Sequence, residues 1–155
     1  MTLDPCRGET LHARFERQAV HRPDAIAASC NGSHLSYSEL NTRANQVAHF
    51  LRRNGVVPET LVAICAERSL DLLVAVLGIL KAGGAYLPID PAYPAERQRF
   101  MIEESRAPFI LTQRHIVSDL PSTPAQAICL DDPSSPVWTC PSDNPIHIGT
   151  CQDLA

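Results

Sequence analysis

Several groups that commonly carry catalysis or binding are scarce in this sequence. Lysine occurs once, at Lys81, and the glycines form no phosphate-cradling loop, because only Gly83 and Gly84 are adjacent. The longest apolar run, residues 72–80, falls far short of the roughly 20 residues needed to cross a bilayer. A net charge of -4 gives no electrostatic basis for binding nucleic acid or an anionic membrane. The composition therefore favours a cytoplasmic globular protein without nucleic-acid or membrane partners.

Motifs that would hold a metal or a redox centre are also missing. The sequence has no C-x-x-C pair, no zinc-finger spacing of cysteine and histidine, and no H-x-x-x-H pair. The six cysteines are Cys6, Cys30, Cys65, Cys129, Cys140 and Cys151. Three of them lie in apolar stretches, where a free thiol behaves as a small hydrophobic side chain. We therefore expect packing thiols rather than metal ligands or disulfides.

The N-terminal part reads as a helix, a hairpin and a second helix. Residues 10–21 have an amphipathic pattern, with Leu11, Phe15 and Ala19 forming the apolar stripe. Residues 26–30 and 34–37 read as two strands around an Asn-Gly turn. The spacing Ser36-x-x-Glu39 predicts a capping box that opens the next helix, and a glycine at position 55 closes it.

Beyond residue 60, strands and helices alternate at short intervals. The predicted strands and helices are 61–66, 69–82, 85–89, 94–105, 109–112 and 127–130, with a short helical turn near Ile116. This order predicts an α/β fold of right-handed βαβ units, with a parallel sheet and helices on both faces. We divide the chain into a leader (1–9), an α/β subdomain (10–130) and a loop-rich, proline-containing segment (131–155).

Two stretches carry a resemblance that composition could not supply. Residues 35–45 read LSYSELNTRAN and residues 80–97 read LKAGGAYLPIDPAYPAER. Both resemble the first two core motifs of the adenylation domains of nonribosomal peptide synthetases, within the acyl- and aminoacyl-adenylate-forming superfamily. Residues 143–145 and 153–155 are similar to the family's approach to its phosphate loop. The resemblance covers the chain from about residue 11 to its end.

This resemblance implies an enzyme that condenses an amino acid with ATP, using Mg²⁺, and then passes it to a carrier-protein phosphopantetheine thiol. It also implies that the phosphate loop, the ribose-binding aspartate, the specificity pocket and the catalytic lysine all lie beyond Ala155. We therefore expect a partial adenylation domain that is inactive alone. Its expected partners are the remainder of that domain, neighbouring synthetase domains and a small activating protein.

Two other functional classes remain open at this point. The chain could be a non-catalytic docking module that complements a separate downstream chain. A severed parallel sheet exposes apolar area and an open edge, and the amount of exposed apolar surface separates these alternatives. A small flavodoxin-like protein fits the element order, but Glu67-Arg68-Ser69 stands where its phosphate-binding loop is expected.

Structural roles account for the candidate site residues, so we predict no catalytic, cofactor-binding or metal site in this chain. Gly83 and Gly84 follow a predicted helix, where they meet its negative end and would repel phosphate. Lys81 lies in the last turn of that helix, where its carbon stem can cover apolar surface. Asp90 follows a strand, and a hydrogen bond between its side chain and the nearby backbone of a turn explains an aspartate at this position. His49 is expected to border the apolar stripe of its helix.

The acidic residues of the fourth helix, Glu96, Glu103 and Glu104, are expected to form a solvated face. Their expected surface partners are Arg97, Arg99 and Arg106. We expect ion pairs among them that contribute little to stability.

Overall fold

The computed structural model describes residues 9–148, which contain five α-helices, six β-strands and one short 3-10 helix. The helices are α1 (Leu11–His21), α2 (Tyr37–Arg53), α3 (Leu70–Ala82), α4 (Ala95–Ser105) and α5 (Arg114–Val117). The strands are β1 (Ile26–Cys30), β2 (Ser33–Ser36), β3 (Leu61–Cys65), β4 (Ala85–Ile89), β5 (Phe109–Thr112) and β6 (Gln126–Cys129). The 3-10 helix is Pro136–Thr139.

Local sequence signals produce the start of the fold as expected. The Ser36 hydroxyl accepts a hydrogen bond from the Glu39 backbone N–H at 3.1 Å, and the Ser36 N–H donates to the Glu39 carboxylate at 2.8 Å. This capping box satisfies two backbone donors and opens α2. Because Ser36 is the cap, Tyr37 is helical, and β2 therefore ends one residue earlier than predicted.

A four-stranded parallel sheet forms the centre of the molecule, in the order β4-β3-β5-β6, while β1 and β2 form a separate antiparallel hairpin. Alternate residues of β3 point into two different cores. Val62 and Ile64 pack with α2 and α3, whereas Ala63 and Cys65 pack with Ile102 of α4. Helices therefore cover both faces of the sheet, and the predicted α/β class is confirmed.

The predicted apolar stripe of α1 is wrong in part. Leu11 is 66% exposed, whereas His12, Glu16 and Ala19 are buried. Phe15 is only partly buried against the core, and the centre of its ring lies 5.6 Å from that of the Tyr37 ring. The helix is rotated from the predicted orientation because Glu16 binds a buried cation on α3, which periodicity within α1 cannot reveal.

The segment that follows β6 packs along α2. Val137 is fully buried in the α2–α3 core, and the indole N–H of Trp138 donates to the Asp132 carbonyl at 2.9 Å. The amide of Gln46 on α2 donates to the Trp138 carbonyl at 3.0 Å. The division of the chain at residues 9 and 130 stays a prediction.

Other boundaries differ from the predicted ones by a residue. β3 ends at Cys65 and β6 covers Gln126–Cys129, while Pro94 precedes α4 as its N-cap residue. None of the helices in residues 9–148 is long and apolar enough to span a membrane.

Candidate functional site

An open cleft of about 540 Å³ lies at the carboxyl ends of β3 and β4, the edge where α/β proteins often bind ligands. Glu67 and Arg68 line it after β3, and Asp90 lines it after β4. The Asp90 carboxylate accepts a hydrogen bond from the Ala92 backbone N–H at 2.8 Å. This is the local turn bond expected from the sequence. Arg68 is the single cation among the lining residues, so the cleft is not built to hold a polyphosphate.

Gly83 and Gly84 terminate α3 and have no free backbone donors. Gly83 has a left-handed φ of 89°, and its N–H donates to the Leu80 carbonyl at 3.0 Å. The N–H of Gly84 donates to the Ile79 carbonyl at 3.0 Å. This is the helix-ending arrangement that favours glycine. Both N–H groups are therefore occupied and neither can cradle a phosphate.

The ammonium of Lys81 is buried rather than solvated. Lys81 lies in the last turn of α3, is 1% exposed, and forms an ion pair with Glu16 on α1. Burial lowers the pKa of Lys81, and the hydrogen bond and charge of Glu16 oppose that shift. The side chain therefore does more than the predicted covering of apolar surface, because it pairs two helices through residues that are 65 positions apart.

Glu16 also binds a residue near the end of the described chain. Its second carboxylate oxygen lies 2.7 Å from His147 Nε2, and the His147 ring lies 5.0 Å from the ring of His12. Burial alone would raise the pKa of Glu16, but hydrogen bonds from Lys81 and His147 outweigh it and the pKa is lowered. The carboxylate thus stays ionised between two partners.

Asn144 is the second centre of the same cluster. Its side-chain oxygen accepts from the amide groups of Asn41 at 2.9 Å and Asn45 at 3.0 Å, and Lys81 Nζ lies 3.5 Å away. The amide of Asn45 also donates to the Ser142 carbonyl at 2.7 Å. We call this cluster the Lys81 network. It comprises Glu16, Asn41, Asn45, Lys81, Asn144 and His147.

These arrangements do not fit ATP or its magnesium ion. Lys81 is engaged by Glu16 and buried, and the amides of Gly83 and Gly84 are occupied. Within residues 9–148 no group of three or more histidine, cysteine or acidic side chains is placed to hold a metal ion. The absence of a catalytic, nucleotide or metal site from this chain stays a prediction.

Burial of His12 makes a pH dependence of stability testable. Burial and the neighbouring His147 lower the pKa of His12 to about 4, with Lys81 and Arg52 adding to the shift and Glu16 opposing it. The folded pKa is depressed from an ordinary 6.5, so the unfolded chain takes up a proton that the folded chain does not. The contribution of the neutral His12 side chain to the free energy of unfolding is complete above pH 6.5, and it is lost as the pH falls toward 4.

We expect the free energy of unfolding to drop by about 2 kcal/mol more in wild type than in His12→Gln between about pH 7 and pH 4.5. Urea unfolding followed by the fluorescence of the single tryptophan, Trp138, measures this. The lowered pKa of Glu16 changes the free energy of unfolding only below its ordinary value of 4.5, and it does so in both proteins. Parallel pH profiles for the two proteins would refute the assignment.

The remaining candidate residues lie at the surface or pack against neighbours. His49 Nε2 lies 2.9 Å from the Asp143 carbonyl, so it borders the segment over α2. The five charged side chains of α4 and that of Arg106, which follows it, are all exposed, but none forms an ion pair within residues 9–148. Arg97 instead stacks over the ring of Tyr93, with its guanidinium carbon 4.2 Å from the ring centroid.

The cysteines differ in burial. Cys65 and Cys140 are buried, and burial raises the pKa of the Cys65 thiol to about 11, which keeps it protonated. Cys30 and Cys129 are only half-buried, so the expectation of buried packing thiols is wrong for these two. The described four are free thiols. Cys6 and Cys151 lie outside the described residues.

Comparison with known proteins places this fold in a family. The family model of the AMP-binding enzymes matches residues 15–147, which is most of the chain. The chain belongs to the AMP-binding enzyme family. This confirms the superfamily resemblance of residues 35–45 and 80–97. It also rules against a flavodoxin-like protein.

Relatives of this AMP-binding chain are much longer proteins. It is 46% identical over 150 residues to tyrocidine synthase 3 of Brevibacillus parabrevis, covering 96% of this chain and 2% of the relative. It is 49% identical over 115 residues to gramicidin S synthase 2 of Brevibacillus brevis, covering 74% of this chain and 3% of the relative. The chain thus spans a few per cent of the length of the curated relatives it matches.

A solved structure agrees with the sequence relatives. The nonribosomal peptide synthetase FmoA3, in a form with α-methyl-L-serine-AMP bound, matches with a TM-score of 0.91 and 33% identity. The match covers 98% of this chain and 17% of the FmoA3 chain. The AMPPNP-bound form of FmoA3 matches with a TM-score of 0.86. The similarity extends over nearly the whole chain and a small part of the synthetase.

The sequence alone did not reveal the Lys81 network. Glu16 and His147 lie outside the stretches that resemble the family, and Asn45 and Asn144 lie within them but were assigned no role. The contacts of these residues span 63 to 131 positions. One local signal was present. Polar residues recur at positions 41, 45 and 49 of α2, four apart, beside its apolar stripe, and that spacing places them on one helix face.

Proposed function

We propose that this chain forms the opening part of an adenylation domain of a nonribosomal peptide synthetase. In this proposal the completed domain activates an amino acid with ATP and Mg²⁺ to an aminoacyl-adenylate. The acceptor is the phosphopantetheine thiol of a carrier protein. The observation that carries the proposal is the match to the AMP-binding family over residues 15–147, joined with the likeness to synthetase chains.

The proposal includes inactivity of the chain by itself. The single lysine is buried in an ion pair, and the adjacent glycine amides are used by α3. Groups for holding the triphosphate and the ribose would come from sequence after Ala155. The partners in this proposal are the rest of the adenylation domain, neighbouring synthetase domains and a small activating protein, in the cytoplasm.

Amino-acid-dependent exchange between ATP and pyrophosphate tests this inactivity. We expect the 155-residue chain, with Mg²⁺ and each proteinogenic amino acid in turn, to give no exchange above a blank without protein. An intact adenylation domain assayed in parallel confirms that the reagents work. Exchange by the purified chain that persists in repeated preparations would contradict the proposal.

A second candidate is a docking module that complements a separate downstream chain, and a docking module and a severed subdomain would both have apolar side chains for a partner to cover. Those most exposed, at 58% or more, are Leu11, Val20, Ile26, Val57, Phe100 and Ile146. Mixing the chain with a separately produced downstream part distinguishes the two. Exchange restored on mixing supports a docking module, whereas exchange only in a covalently joined protein supports a single domain.

A further inference from the structure

The two stretches that carry the family resemblance, residues 35–45 and 80–97, meet the additional family-like residues 143–145 in one place in the structure. Asn41 and Asn45 belong to the first stretch, Lys81 to the second, and Asn144 to the additional residues. The two asparagine amides and the lysine ammonium all reach the side-chain oxygen of Asn144, at 2.9, 3.0 and 3.5 Å. Distant sequence motifs therefore converge on a single acceptor near the end of the described chain.

Residues 142–148 are held by polar contacts and by the buried ring of Pro145. Ile146 is 83% exposed and Ile148 is 43% exposed, so these two side chains are only partly covered. Side chains of α2 bind two successive carbonyls of the segment, Asn45 that of Ser142 at 2.7 Å and His49 that of Asp143 at 2.9 Å. The segment's position thus depends on hydrogen bonds supplied by the helices beneath it.

The third helix that fastens the segment is α1. Its Glu16 carboxylate binds Lys81 of α3 through one oxygen and His147 of the segment through the other. Burying an ammonium and a carboxylate is costly, and apolar residues of similar volume stabilise a fold at least as well. A buried ion pair at this place therefore has its best physical rationale in fixing geometry rather than in adding stability.

We propose that the Lys81 network is a latch that fixes the path of residues 142–148 and so positions the chain that follows them. This inference rests on the proposed function for its consequence, because only in a completed adenylation domain does the following chain carry the phosphate loop. Glu16, Asn45 and Lys81 are then positioning residues for adenylation that do not touch the substrates.

Cleavage by the protease Asp-N, which cuts before aspartate, tests the latch in the 155-residue chain. The Ser142–Asp143 bond lies in the fastened segment, and the bond before Asp24 serves as an internal reference outside it. We expect Asn45→Ala and Lys81→Met to speed cleavage before Asp143 at least about tenfold, because local opening exposes that bond. The rate before Asp24 should stay within about twofold of wild type.

Asp71→Asn is the matched control. It disrupts the Arg43–Asp71 ion pair, whose atoms lie 2.8 Å apart and outside the Lys81 network, and it should leave cleavage before Asp143 unchanged. If Lys81→Met does not fold, the double variant Glu16→Gln/Lys81→Met, which buries no unpaired charge, gives the same comparison. Unchanged cleavage before Asp143, or an equal rise at both sites, overturns the latch.

The consequence for the reaction is tested in an adenylation domain whose corresponding segment is replaced by this chain. Asn45→Ala should raise the KM for ATP about fivefold or more while the KM for the amino acid changes less than about twofold. A uniform loss of kcat with both KM values unchanged would indicate a merely structural role and overturn the inference. If the graft with the wild-type sequence of this chain does not adenylate, the proposed function is refuted. The Asp-N result then decides whether the latch exists.

Discussion

Lys81→Met is expected to lower the free energy of unfolding by about 3 kcal/mol. The substitution keeps an unbranched side chain of similar length in a site that is 1% exposed. It removes the cation from the ion pair and leaves the Glu16 carboxylate, whose side chain is 11% exposed, with His147 as its remaining partner. A carboxylate left partly unpaired in such a site is the source of the cost.

The double variant Glu16→Gln/Lys81→Met separates the cost of an unpaired charge from the contribution of the pair itself. We expect it to recover about half or more of the loss, since no unpaired charge remains and a neutral amide can still bond to His147. Urea unfolding followed by the fluorescence of the single tryptophan, Trp138, gives the free energies. Single and double variants with equal losses would contradict a buried ion pair at this site.

Gly78→Ala is expected to destabilise the chain by about 2 kcal/mol, although alanine is the better helix former by about 1 kcal/mol. Gly78 lies where α3 crosses α2. A Cβ atom added there would lie 2.4 Å from Val47 Cγ1 and 2.5 Å from Val47 Cβ. Real side chains do not approach so closely, so the two helices would have to separate. The sign of the change therefore distinguishes close packing from helix propensity.

A double-mutant cycle with Val47→Gly tests the cause of that loss. Truncating Val47 to alanine would leave its Cβ in conflict, whereas glycine removes it. In the Val47→Gly background we expect Gly78→Ala to cost less than about 1 kcal/mol, because the interfering atoms are gone. The same urea titration measures all four proteins. A stability gain from Gly78→Ala in the wild-type background would refute the close helix contact.

Elements that depend on neighbouring residues could be predicted from the sequence. The capping box of Ser36 and Glu39 and the stop of α3 at Gly83 involve contacts between residues close together in the chain. The alternation of strands and helices predicted the sheet and its two covered faces, because hydrophobic runs of strand length report burial directly. Errors in strand ends were single residues, and at the end of β2 the cause is that Ser36 serves as the cap of α2.

The Lys81 network could not be predicted, for a physical reason. A helix of three turns has several orientations that bury a stripe, and α1 adopts the one that places Glu16 against Lys81 instead of the one that buries Leu11. That orientation is set by a partner 65 positions away. Likewise, His147 gains its role only when the segment lies against α1, and no spacing rule connects positions 16 and 147.

A graft tests most directly the proposal that this chain serves as the opening part of an adenylation domain. Residues 15–147 of this chain would replace the matching residues of tyrocidine synthase 3, to which the chain is 46% identical. The same replacement with the matching residues of gramicidin S synthase 2 controls for mismatch at the junctions. We expect ATP–pyrophosphate exchange by both grafts, dependent on the same amino acid as in the unaltered host. Exchange by the control graft with none by a folded graft of this chain would contradict the proposal.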